Sequence, residues 1–190
     1  ITLNSNTNYN FLRYGAFVQA GRRLLNNRLG LSVGLRTDAN NREKENANLL
    51  KQLSPRVSLS YALSDKLNMS ASYGQYFRLP SYTQMAFSGN PDNYIKSTHW
   101  VTGFEYLPSS TTRLTIEGFY KRYNNYPVSV IDGISLGNKG IEFGAIGNEP
   151  IVQNGKGRVW GLEIFAQQKL TNRIFGVFSY TFYRSEFSGS

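Results

Sequence analysis

Apolar and polar residues alternate one by one in eight separate segments of this chain. Successive side chains of an extended strand point to opposite faces, so a period of two demands strands with one apolar and one polar side. The apolar sides begin Leu12, Tyr14, Ala16, Val18, Ala20, then Leu29, Leu31, Val33, Leu35. They continue through Val57, Leu59, Tyr61, Leu63, through Leu67, Met69, Ala71, Tyr73, and through Trp100, Thr102, Phe104, Tyr106. The last three are Leu114, Ile116, Gly118, Tyr120, then Trp160, Leu162, Ile164, Ala166, then Ile174, Gly176, Phe178, Tyr180, Phe182. No charge falls among them. The opposite sides carry Arg13, Arg36, Arg56, Glu105, Glu117, Lys121 and Glu163 among many Gly and Ser, including Gly30, Ser32, Ser58, Ser60, Ser70 and Ser72.

A soluble antiparallel sandwich would alternate in the same way, with its apolar faces packed together. Two features favour a membrane barrel. Small residues on the polar side suit a curved wall with material inside it, whereas a solvated face is richer in Lys, Glu and Thr. Aromatic residues also sit at the ends of the apolar side. If strands alternate in direction, Tyr14, Tyr73, Trp100, Tyr120, Trp160 and Phe182 share one level, and Tyr61 and Tyr106 share the other. Paired aromatic girdles mark the two membrane interfaces of a barrel.

Three pentapeptides fix the order of the connections. "LNNRL" (25–29), "LSDKL" (63–67) and "LTNRI" (170–174) each read aliphatic, small polar, Asn or Asp, Lys or Arg, aliphatic. Asn and Asp reverse a chain tightly, because they tolerate left-handed φ and bond their own backbone. With "LPSSTTRL" they form four short turns, separated by long connections near 37–55, 77–98 and 122–157. Short and long links in alternation are the layout of an outer-membrane barrel, tight turns inside and long loops outside.

The remaining composition narrows the chemistry. The mean hydropathy of −0.40 and the lack of any run near the roughly 18 apolar residues of a membrane helix do not exclude membrane strands, which average to moderate polarity. The opening "ITLNSNTNYN" has no signal-peptide pattern. Cysteine is absent and His99 is the single histidine, so thiol chemistry and a multi-histidine metal cage are ruled out, and no cofactor is expected. The net charge of +9 raises nucleic acid as a partner. Nucleic acid would need cations gathered among stacking aromatics, whereas here they scatter over turns, loops and the polar side.

"SPRVSLSYALSDKLNMSASYGQYFRLPSYTQM", residues 54–85, resembles the barrel of TonB-dependent outer-membrane receptors. "GQYFRLPSY" stands where that family has Gly-x-x-Phe-Arg-x-Pro as a strand runs into an outer loop. "YGAFVQAGRRLLNNRLGLSVGLR", "RVWGLEIFAQQKLTNR" and "VFSYTFYRSEF" are similar to other strands of it. The likeness covers nearly the whole chain as one barrel domain, 1–190, and is weak in the loops. It implies a plugged barrel of about 22 strands, in bacterial outer-membrane lipid, that takes up a scarce nutrient and is no enzyme. An inner-membrane TonB-type complex would supply energy through the plug. Plug, TonB-contacting segment and aromatic-ended last strand have no counterpart among these residues. The expected fold is therefore all-β: a meander of about eight transmembrane strands, an open segment of a larger barrel. A complete eight-stranded barrel of structural or adhesive role is the alternative, and a soluble basic sandwich the remote one.

Individual motifs fit that frame. Gly-rich "DGISLGNKGIEFGAIGNEP" and "NGKGRVW" lack the Gly-Lys-Ser/Thr of a phosphate loop and read as a flexible outer loop. Glu105, Glu117 and Glu163 face Arg13, Arg36, Arg56 and Lys121 on the polar side, where lumen ion pairs are expected rather than acid–base catalysis. Tyr76, Arg78, Tyr82, Tyr94 and His99 lie around the second long connection. Aromatic rings beside Arg can hold sugars, aromatic chelates or carboxylates. Siderophore, cobalamin, glycan and peptide all remain open as ligands.

Overall fold

A computed structural model describes residues 10–42, 46–87, 94–139, 149–171 and 173–189. The opening nine residues and 140–148 of the glycine-rich stretch therefore lie outside the described residues. Eight strands follow one another: β1 (Arg13–Leu24), β2 (Leu29–Asn40), β3 (Ser54–Ala62), β4 (Leu67–Arg78), β5 (Ile95–Ser109), β6 (Thr112–Ser129), β7 (Ile151–Thr171) and β8 (Ile174–Ser188). A short helix, α1 (Tyr82–Phe87), lies between β4 and β5. The strands form one sheet in chain order, and each neighbouring pair is antiparallel. β1 and β8 are its two edges, so the meander does not close on itself.

The ladder registers carry the alternation across the sheet, although Arg22, opposite Leu31, puts one charge of β1 on the apolar face. Leu31, Leu59, Ala71, Thr102, Gly118, Leu162 and Phe182 stand in one cross-strand row. Gly30, Ser60, Ser70, Gly103, Glu117, Glu163 and Thr181 form a row on the opposite face. A slip of one residue at any pair would exchange these faces, which is why the pattern specifies register so strongly. The polar face is not polar throughout, because Phe17, Val101, Phe119, Phe165, Phe175 and Tyr183 share its parity. Gly161 makes room for two of them: a Cβ there would lie 2.7 Å from Phe119 Cζ and 2.9 Å from Tyr183 Cβ.

Among the described residues no second layer covers the apolar face. Leu31, Val33, Val57, Phe104, Ile116 and Leu162 remain 37–49% exposed in the middle of the sheet. A sandwich formed by these strands would bury these residues, whereas the described strands make one sheet that leaves them exposed. The buried residues gather instead at the end with the long connections. Ala39, Leu79, Met85, Tyr94 and Ile95 are buried around the first two long connections, and Val128, Leu136 and Ile151 near the tips of β6 and β7.

The long connections are shorter than their sequence suggests, because the ladders continue into them. β6 and β7 stay paired as far as Ser129 and Ile151. Their 18 and 21 residues exceed the 9–11 that cross a bilayer. The first two loops hold each other in place. The Asn40 amide donates to Tyr94 Oη at 3.0 Å, and Arg42 Nη1 lies 3.0 Å from Met85 Sδ. Helix α1 starts with a capping box that the sequence reading passed over. Gln84 N donates to Ser81 Oγ at 3.2 Å, and Ser81 N donates back to Gln84 Oε1 at 3.1 Å.

The pentapeptides all sit at short turns of the opposite rim, but they turn differently. In the first, Leu25, Asn26 and Asn27 have φ of 52°, 52° and 68°, and Arg28 N bonds Leu25 O at 3.0 Å. In the second, the Ser64 hydroxyl accepts from Lys66 N and Leu67 N at 3.3 and 3.1 Å. In the third, Arg173 takes φ of 70°, and Asn172 lies outside the described residues. The shared pattern marks a place along the chain rather than one backbone conformation.

Candidate functional site

Beyond Tyr73, β4 sends Gly74, Tyr76 and Arg78 to the polar face, at the end with the long connections. Gly74 stands between Arg56 and His99 in the cross-strand row. Its missing side chain leaves a gap that the Tyr76 ring fills, since a Cβ on Gly74 would lie 2.7 Å from Tyr76 Oη. From that seat Tyr76 meets both neighbours. Arg56 Cζ lies 4.6 Å from its ring centre, a cation–π distance, and the His99 ring lies 4.7 Å away.

The row of rings continues across the sheet. His99 and Tyr123 have centroids 6.4 Å apart, and Tyr123 meets Tyr126 at 5.9 Å and Phe187 at 5.4 Å. Tyr126 and Phe187 are 4.4 Å apart. Asn125, at φ 56°, marks a register shift between Asn124 and Tyr126, which turns Tyr126 into this cluster. Phe187 is held at its backbone. It donates N–H to Asn138 Oδ1 at 3.2 Å, and Asn138 Nδ2 donates to its carbonyl at 2.5 Å. The result is a strip of π faces from β4 to β8, with Arg56, Arg78 and Lys121 on the same face.

The sequence-predicted ligand residues divide accordingly. Tyr76 and His99 come together, and Arg78 shares their face. Tyr82 is 59% exposed on α1, with Phe11 as its ring neighbour at 6.4 Å. Tyr94 is only 5% exposed and spends its hydroxyl on Asn40, so it pins two loops together. Tyr123, Tyr126 and Phe187 were missed by sequence reasoning. Aromatic residues of polar-face parity past the girdle were the signal for Tyr123 and Phe187, whereas the bulge hid Tyr126.

Arg13, Arg36, Arg56, Glu105, Glu117, Lys121 and Glu163 all lie on the polar face by register. The ion pairs expected among them do not form. Glu105 takes Arg113 at 2.6 Å and Arg36 takes Asp38 at 2.7 Å, partners on the same or the adjacent strand. Arg56 rests on Tyr76, and Lys121 lies 4.8 Å from the Phe119 ring centre. Glu117 and Glu163 stand directly opposite each other. A sheet this wide separates distant strands, so the two ion pairs that form, Arg36 with Asp38 and Glu105 with Arg113, are local.

On the other face Tyr73, Trp100, Tyr120 and Trp160 are consecutive cross-strand partners. Their rings pack at 5.6 Å for the first two contacts, and Phe182 meets Trp160 at 6.1 Å. Tyr14 belongs to a different row, opposite Ala39, and bonds Ala47 O at 2.9 Å. Tyr61 and Tyr106 sit near the short turns, opposite Met69 and Leu67.

Comparison with known proteins gives a family and a fold. Residues 2–190 match the family described as TonB dependent receptor-like, beta-barrel. Among curated proteins no relative matches the sequence. The FrpB iron transporter from Neisseria meningitidis (F5-1 variant) is similar in structure, with a TM-score of 0.67 and 15% identity over 93% of this chain and 26% of that one. The alcaligin outer-membrane receptor FauA from Bordetella pertussis gives 0.62 and 18%, over 95% and 31%. The pyoverdine receptor FpvA from Pseudomonas aeruginosa PAO1 gives 0.64 and 17%, over 95% and 26%. At such identities the likeness is one of fold. The chain spans between a quarter and a third of the length of these receptors.

Proposed function

The chain belongs to the TonB-dependent receptor β-barrel family, and from that premise we propose that it forms a sector of an outer-membrane receptor for energy-coupled nutrient uptake. The apolar face meets lipid and the polar face lines the lumen. The long connections open to the outside. The observation that carries this orientation is the separation of the two faces along the seven registers that join the eight strands, with Arg22, opposite Leu31, as a charge on the apolar face. Among the described residues nothing covers the exposed face of Leu31, Leu162 and Phe182, and such a face needs an apolar solvent. Energy would arrive from a TonB-type complex acting on a plug domain of the same receptor.

The ligand meets the strip of Tyr76, His99, Tyr123, Tyr126 and Phe187 at the outer end of the lumen. Rings give flat, sequence-tolerant contact, and Arg56, Arg78 and Lys121 favour negative charge. This combination supports an anionic chelate with planar groups, a siderophore–metal complex, over a neutral glycan. Growth of an iron-starved strain that depends on the full-length receptor tests the reading, with a panel of anionic and neutral ferric chelates supplied. An anionic chelate should support growth that Tyr76→Ala with Tyr123→Ala abolishes at normal surface expression. Receptor-dependent growth on no chelate, or undiminished growth of the double variant, would contradict it.

A further inference from the structure

Immediately past the aromatic row, the lipid-side face changes character. Arg122 and Arg158 follow Tyr120 and Trp160 by one alternation and stand directly opposite each other. Lys156 lies one alternation further along β7, and Arg184 is paired with Trp160. Lys96, opposite Phe77, has the same parity. Against these five cations stands one carboxylate, Glu186, which takes Arg158 Nε at 2.5 Å and Arg184 Nε at 2.7 Å. Among the described residues no carboxylate reaches Arg122 or Lys156. Like charges opposite each other in a sheet are unfavourable, and an anion shared between them would reverse the sign.

The position restricts which anion that is. Trp and Tyr of such a row sit at the level of lipid headgroups, so the cations just beyond them lie at the membrane surface. A groove of about 440 Å³ is lined by Tyr120, Arg122, Lys156 and Arg158, with Glu186 and Phe187 on its β8 side. The Arg158 and Arg184 side chains keep 60% and 66% exposure, with donors to spare after the Glu186 contacts. Guanidinium groups match phosphate oxygens in pairs.

From this geometry we infer that the patch around Arg122 and Arg158 binds closely spaced phosphates on the headgroup of an outer-leaflet lipid. The inference rests on the orientation proposed above. Such a lipid would fasten the barrel wall at one fixed depth, and Glu186 would bridge two of the cations until the phosphates bind.

The test uses the full-length receptor in detergent, with bisphosphorylated lipid A as the probe and native mass spectrometry as the readout. Arg122→Gln with Arg158→Gln should weaken retention of the probe by at least about tenfold, the effect of two basic residues at an anionic surface. Removal of both phosphates from the probe should cost as much. Glu186→Gln frees both of its arginines and should tighten binding. Equal retention by wild type and double variant, equal retention of the dephosphorylated probe, or emptying of the site by low-millimolar inorganic phosphate overturns the inference. If the double variant fails to assemble, Glu186→Gln decides: tighter binding supports the site, and unchanged or weaker binding rejects it. A wrong orientation is read separately. A nitroxide at Leu162 would then report water rather than lipid, which overturns both readings. With Leu162 in lipid and no phosphate dependence, only the lipid site fails.

Discussion

Tyr73 and Trp100 face each other across β4 and β5 with ring centroids 5.6 Å apart, while the next pair along, Gly74 and His99, points to the opposite face. One step of the chain thus separates the aromatic row on the apolar side from the ring strip on the polar side. Substitutions on the two sides of that division should have different consequences.

Leu31 and Ser32 are neighbours with opposite orientation. In the full-length receptor, Leu31→Arg should cost about 2–4 kcal/mol, the expense of a cation on the lipid side near mid-membrane. Ser32→Arg joins a wall that already carries Arg56 and should cost far less. Folding yields into lipid vesicles measure the difference. Equal yields would refute the outward assignment of Leu31.

Asn26 and Asn27 both hold left-handed φ in the first turn. Asn27→Gly should be neutral or slightly stabilising, and Asn27→Val should cost about 1–2 kcal/mol. The Asp65 turn works through the Ser64 hydroxyl instead. Ser64→Ala should therefore perturb it more than Asp65→Asn. Urea titration of the refolded receptor reads both comparisons.

Tyr94→Phe removes the acceptor for a buried Asn40 amide and should cost about 1–3 kcal/mol of local stability. The damage should stay in the two interlocked loops. Protease cleavage within residues 41–53 or 79–94 should accelerate while the barrel still assembles. Unchanged cleavage would mean that Tyr94 does not pin these loops.

Ligand contact should follow the ring strip more closely than the loop tip. Tyr76→Ala and Tyr123→Ala should each weaken uptake at least about tenfold, the combined worth of a stacking and a cation–π interaction. Tyr82→Ala should have a smaller effect, because Tyr82 sits on α1 and has Phe11 as its ring partner. Radiolabelled-chelate uptake by surface-expressed variants makes the comparison. A dominant effect at Tyr82 would move the site onto the loop.

What could be read from the sequence was set by periodicity. Leu59, Ala71 and Thr102 fall into one row because a period of two leaves a single register that keeps the apolar face intact. The loops carry no such period. Tyr94 looked like a ligand residue because its burial depends on Asn40, a residue 54 positions away in the chain. The charge pairs went astray for a related reason: Glu105 takes Arg113 from the adjacent strand, a neighbour that parity alone does not rank above others. Helix α1 has one sequence signal, the capping-box spacing of Ser81 and Gln84, in a segment too short to show a helical period.

The most direct test of the two-faced wall is a nitroxide scan along β7 from Trp160 to Gln167, one cysteine at a time in a cysteine-free full-length receptor in lipid. Collision with oxygen, which concentrates in hydrocarbon, is compared with collision with a water-soluble nickel complex. The expected result is a period of two, with oxygen maxima at Trp160, Leu162, Ile164 and Ala166 and minima at Gly161, Glu163, Phe165 and Gln167. A flat profile, or maxima at Glu163 and Phe165, would contradict the account.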